Sequence, residues 1–66
     1  MLNCTKAAAL HLVSRMHDPV ERDAALKKVE AATSFETEDY DGHPDDPDSD
    51  YIGVFVDGEE IAVVWN

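Results

Sequence analysis

The stretch "YIGVFVDGEEIAVVWN", from Tyr51 to Asn66, constrains the fold of this chain more than any other. Asp57-Gly58 stands between two runs rich in β-branched and aromatic residues. A pair of that kind in that setting predicts a β-hairpin closed by a type I′ turn. With two residues in the turn, Val56 pairs with Glu59, Val54 with Ile61 and Ile52 with Val63. Successive side chains on a strand point to opposite faces. One face then carries Ile52, Val54, Val56, Ile61, Val63 and Trp65, and the other Tyr51, Gly53, Phe55, Glu60, Ala62 and Val64. The first set is aliphatic apart from Trp65 and the Glu59 beside the turn, so it is expected to pack against the rest of the protein. For the second set two readings stand. Either Phe35 and its strand cover Tyr51, Phe55 and Val64, or these side chains form a patch suited to partner contact.

The first half of the chain reads as helical. Asn3 or Thr5 can cap a helix with the body "KAAALHLVSRM", whose buried stripe is Ala9, Leu12, Val13 and Met16. "DPVE" at 18–21 is a second helix start. Asp18 is a preferred N-cap, Pro19 fits the first helical position, and Glu21 lies three residues past the cap. This helix should reach Ala32 or Thr33 and bury Val20, Ala24, Ala25, Val29 and Ala32, with Leu26 at the edge. Beyond it, "TSFETEDY" alternates imperfectly and admits an edge strand, with Thr33, Phe35 and Thr37 on one side and acids on the other.

The predicted fold class is therefore α+β. Two N-terminal helices pack on one face of a small antiparallel sheet, made of the C-terminal hairpin with that edge strand. One domain spans 1–66, with a helical half (1–33), an acidic segment (34–50) and the hairpin (51–66). So short a chain buries only about 60% of the surface its unfolded state exposes, and Cys4, the only cysteine, allows no internal disulfide. The start "MLNCTKAAALHLVSRMHD" is too weak for a signal peptide, and no apolar run approaches a membrane span. A soluble protein in a reducing, cytoplasmic setting is expected.

Charge is segregated along the chain. Residues 1–34 hold five basic and four acidic side chains (+1), and residues 35–66 hold eleven acidic and no basic ones (−11), which sum to −10. Such a half repels nucleic acid and anionic membranes and attracts a basic surface or a cation. A calcium loop is one reading of Asp46, Asp48, Asp50 and Asp57, which fall at its first, third, fifth and twelfth positions. Tyr51 stands where that loop needs glycine, Asp57 stands where glutamate supplies two oxygens, and a strand follows instead of a helix. An EF-hand is excluded, which leaves only looser calcium binding. Cys4, His11 and His17 lack the spacing of zinc ligand pairs, and Cys4 reads as a small buried hydrophobe. His43 reads as an exposed loop histidine. There is no nucleophile–base order, phosphate loop or CxxC pair, so neither enzyme activity nor a cofactor is expected.

The acids from Glu36 to Asp50 lie between structured elements and continue onto the hairpin as Asp57, Glu59 and Glu60. In extended chain, alternate residues lie about 6–7 Å apart on one side, so Glu36 with Glu38, and Asp46, Asp48 and Asp50, would form rows of anions. Carboxylates accept bidentate hydrogen bonds from arginine much as phosphates do. Rows of them on a compact protein suit a groove built for DNA, which presents one charge per about 1.7 Å of duplex axis. In length, α+β makeup and the acids Glu36, Glu38, Asp39, Asp41, Asp45, Asp46, Asp48 and Asp50, the chain resembles the small acidic anti-CRISPR proteins of phages and mobile elements.

That resemblance implies a non-enzymatic DNA mimic that occupies the basic DNA-binding surface of a CRISPR effector, in particular a type I surveillance complex, and blocks target DNA. Recognition would rest on those acids with Asp57, Glu59 and Glu60, and Tyr40, Tyr51 and Phe55 would anchor the contact. The partner is a basic DNA-binding protein, with no direct nucleic-acid or membrane binding, and the protein itself is a monomer or small homo-oligomer. Two other readings remain: an acidic antitoxin or regulator of a basic nucleic-acid enzyme, and a loose calcium-binding or structural domain.

Overall fold

Two helices lie on one face of a four-stranded antiparallel sheet in a computed structural model that describes residues 1–46 and 49–65. The elements run β1 (Leu2–Asn3), α1 (Lys6–Ser14), α2 (Pro19–Ala31), β2 (Phe35–Tyr40), β3 (Tyr51–Val56) and β4 (Glu59–Trp65). The strands are ordered β1-β2-β3-β4. The fold is the expected α+β arrangement, with one strand that the sequence did not announce. Leu2 and Asn3 pair with Thr37 and Glu36, which makes β2 an inner strand.

Local chemistry sets the helix starts. Thr5 Oγ1 accepts from the Ala8 N–H, and Asp18 Oδ1 accepts from the N–H groups of Val20 and Glu21. Each cap satisfies donors that the first helical turn leaves open. Both helices end slightly earlier than their sequence suggests, because Arg15 and Ala32 already serve as C-caps. The core is small and built of small side chains: Ala9 and Val13 of α1, Ala25 and Val29 of α2, Val54 and Val56 of β3, and Ala62 and Val64 of β4. Leu10, Leu12, Met16, Leu26, Phe35 and Ile61 pack around it, half-buried. Val20 is not part of this face. It is 76% exposed on the first turn of α2, and Ala24, also expected on the buried face, is exposed as well.

The hairpin turn forms as expected, with positive φ at both Asp57 (50°) and Gly58 (85°), the signature of a type I′ turn. The pairing beyond it differs from the simple register. Val56 faces Glu59 and Phe55 faces Glu60, but Val54 then faces Ala62, Ile52 faces Val64, and Tyr51 faces Trp65. A β-bulge at this point inserts Ile61 as an extra residue in β4. One extra residue exchanges the two faces of everything after it. Ala62 and Val64 therefore join the core, and Val63 and Trp65 move to the opposite face, reversing their sequence-based placement. Phe35 pairs with Val56 and lies on the helix side, so it does not cover the other face.

Candidate functional site

The sheet face turned away from the helices is the most distinctive surface of the molecule. Strand pairing arranges it in three rows across β2, β3 and β4. These are Glu36–Phe55–Glu60, Glu38–Gly53–Val63 and Tyr40–Tyr51–Trp65. The last row is a continuous aromatic strip. Tyr40 stacks on Tyr51 with centroids 4.7 Å apart and planes at 21°, and Tyr51 meets Trp65 at 4.7 Å and 49°. Cross-strand aromatic pairs of this kind add stability beyond the area they bury.

Gly53 forms the floor of the middle row. A Cβ there would lie 2.9 Å from Glu60 Oε2, 3.1 Å from Tyr40 Cε2 and 3.2 Å from Phe55 Cε2. The absence of a side chain lets those three groups lean inward over the strand, which buries Gly53 although it faces outward. The Tyr40 hydroxyl donates to Glu38 Oε2 at 3.0 Å. That bond to an anion, reinforced by desolvation and by the Glu60 charge, pushes the Tyr40 phenol above its ordinary value. The Cys4 thiol is also pushed up, first by burial and then by the charge of Glu36.

No lysine or arginine lies on this face. All five of the chain's basic residues fall between Lys6 and Lys28, on the helical side. Most are occupied there. Lys6 pairs with Glu30 at 3.1 Å and Lys28 with Glu59 at 3.4 Å, while Arg15 donates to the Trp65 carbonyl and Arg22 to that of Met16. The sheet thus separates a mixed-charge helical layer from a face whose ionisable groups are acids and tyrosines.

The acids singled out in the sequence fall into four groups. Glu36, Glu38 and Glu60 share the open face with Tyr40, Tyr51 and Phe55. Asp41, Asp45, Asp46 and Asp50 belong to the β2–β3 loop, which begins and ends beside the aromatic row. This loop has its own hydrogen bonds. Asp50 Oδ1 accepts from the Gly42 N–H, Ser49 Oγ accepts from His43 N–H and donates to the Asp46 carbonyl, and His43 is exposed. There is no room for a side chain at Gly42, where a Cβ would overlap Ser49. Asp48 lies outside the described residues.

The third group, Asp39, pairs with Ile52 and points to the helix side of the sheet, where it is exposed. The fourth sits at the hairpin turn. Asp57 Oδ1 accepts from the Thr33 N–H (3.2 Å), the Thr33 hydroxyl (3.2 Å) and the Ser34 N–H (3.0 Å). These bonds, the Thr33 amide foremost, hold its carboxyl below the usual range. Asp57 is a clasp between the α2–β2 connection and the turn, and Glu59 is engaged by Lys28 on the helix side.

The calcium-loop pattern is not assembled either. The six residues of β3 separate Asp50 from Asp57, and the seven steps between them span about 23 Å at strand rise. Among the described residues no three His, Cys, Asp or Glu side chains converge as metal ligands. Trp65 and Val63 are the members of the face that the sequence-based register placed inside. No family model, curated protein or solved structure matches the chain.

Three carboxylates, none of them paired with a lysine or arginine among the described residues, stand among aromatic rings and can bind ammonium and guanidinium groups. The oxygens accept their hydrogen bonds, and the rings offer stacking surface to a planar guanidinium.

Proposed function

We propose that this protein is a non-enzymatic inhibitor that docks its open sheet face and adjoining acidic loop on a basic, DNA-binding surface of another protein. The observation that carries this reading is the separation of charge across the sheet. Glu36, Glu38 and Glu60 stand with an aromatic row on one side, and every lysine and arginine lies on the other. A body charged in this way is drawn into a cationic groove face first, and the field of the groove raises the encounter rate. The rings then supply the desolvated contacts that hold it. The target class favoured by length and charge is the DNA-reading surface of a CRISPR effector, with a type I surveillance complex foremost. A basic toxin or other nucleic-acid enzyme would meet the same face if the protein is an antitoxin.

The test is competition. A purified type I surveillance complex is titrated with the protein, and capture of target duplex DNA is followed by gel shift at several salt concentrations. Loss of DNA capture that is relieved as salt rises supports the reading. The triple variant Glu36→Lys, Glu38→Lys, Glu60→Lys should lose inhibition, and Glu59→Lys should keep most of it, each with an unchanged circular dichroism spectrum. Full inhibition by the triple variant overturns the assignment of the face. Undisturbed DNA capture at saturating wild-type protein overturns the CRISPR target, and affinity capture from a host lysate then separates a toxin partner from none.

A further inference from the structure

The two edges of the sheet are treated differently. The β2 edge is covered by the two-residue β1, but β4 runs seven residues with no strand beyond it among the described residues. Ile61–Trp65 carries neither charge nor proline, the usual devices that keep an edge from pairing. A groove follows this edge, lined by Glu21, Ala24 and Lys28 of α2 and by Glu60, Val63 and Trp65 of β4. The helix runs antiparallel to the strand. Lys28 sits 3.4 Å from Glu59 at the hairpin end, and Glu21 shares a hollow with Val63 and Trp65 at the other. Arg15, held by the Trp65 carbonyl, marks that same far end.

We propose that β4 pairs antiparallel with β4 of a second copy of this chain, about a two-fold axis near Val63. A two-fold contact must be self-complementary, because each residue i meets j and each j meets i. The edge meets that condition. Pairing Val63 with Val63 sets Ala62 against Val64, so core-facing residues continue the core face across the junction. The same rotation carries Lys28 toward Glu21 of the second copy, a complementary pair that occurs twice. Ala24, exposed and small, lets the two α2 helices approach along the groove. The product is an eight-stranded sheet with both helical layers on one side, and it joins the two acidic-aromatic faces into one.

Sedimentation velocity over a wide concentration range tests this on the intact protein. A concentration-dependent dimer is expected. It should strengthen as salt rises from very low levels, because each copy carries −10 and screening weakens their repulsion. That trend is opposite to docking on a basic target, so the two proposals fail separately. Glu21→Lys and Lys28→Glu, both on the helix surface, should each weaken the dimer about tenfold, since each acts at two places. The double swap Glu21→Lys, Lys28→Glu should restore it. A monomer at every concentration and salt overturns the proposal. So does a dimer that neither single reversal weakens, because it would then use another surface.

Discussion

Tyr51 faces Trp65 across β3 and β4, with ring centroids 4.7 Å apart on the side of the sheet away from the helices. This contact exists because of the bulge. Without the extra residue in β4, Tyr51 and Trp65 would lie on opposite faces, and the aromatic strip would stop at Tyr51. The bulge thus creates the candidate site and completes the core in one step, by sending Ala62 and Val64 inward.

Trp65 is the only tryptophan and is 56% exposed, so its fluorescence reports the register directly. Emission characteristic of a solvated indole, efficiently quenched by acrylamide, is expected. Trp65→Ala should cost about 1 kcal/mol, the value of an aromatic pair contact. Val54→Ala, which empties a fully buried site, should cost about 2 kcal/mol. Melting temperatures resolve the two, at roughly 4–8 °C for each kcal/mol in a domain of this size. A blue-shifted, unquenchable Trp65 would restore the unbulged register.

Asp57 ties stability to acid pH. Its carboxyl is held below its ordinary value by bonds that the unfolded chain lacks. Its contribution is therefore complete above the unfolded value near 4 and disappears as pH falls through the folded one. Asp57→Asn keeps an acceptor and tolerates the positive φ, so it should flatten the acid limb of a melting-temperature profile. Asp57→Ala should lower the melting temperature by several degrees even at neutral pH. An unchanged acid limb in Asp57→Asn would remove Asp57 as the clasp.

Tyr40 and Glu38 are coupled in the alkaline range. The phenol titrates above the usual tyrosine value, mainly because of its bond to the Glu38 carboxylate. A group that is raised in the folded state contributes below its unfolded value and ceases to as pH rises through the folded one. Spectrophotometric titration should show one late tyrosine, and Glu38→Gln should move it earlier. Identical titrations in the two proteins would mean that the bond is absent in solution.

Gly53 should resist replacement. Val in its place would collide with Glu60, Tyr40 and Phe55 and is expected to cost about 1–3 kcal/mol. Near-ultraviolet circular dichroism of the tyrosines should change with it, because the rings must move. A neutral outcome in both measurements would show that the rings are not packed over the strand.

Residues 18–21 and the Asp57-Gly58 pair were legible because their signals are local. A cap or a turn is decided by a few backbone groups and the side chains next to them. The same holds for the charge asymmetry, which is a property of composition. The short strand at Leu2–Asn3 was not legible, since its partners lie more than thirty residues away and two residues carry no pattern. Asp57 shows the limit most clearly. Its turn role was readable, but its three bonds to Thr33 and Ser34 required the α2–β2 connection to pass beside the turn. As a result, a carboxylate singled out for recognition also serves the fold.

By itself, the sequence determined two capped helices, a type I′ hairpin and an acidic second half, all consequences of neighbouring residues. Tertiary structure alone decided which side of β4 meets the helices. In "IAVVW" every residue is apolar, so period-two alternation has no polar marker to fix its phase. The small space under α1 and α2 accepts Ala62 and Val64, and Trp65 is left outside beside Tyr51. Packing volume resolved what hydrophobicity left open.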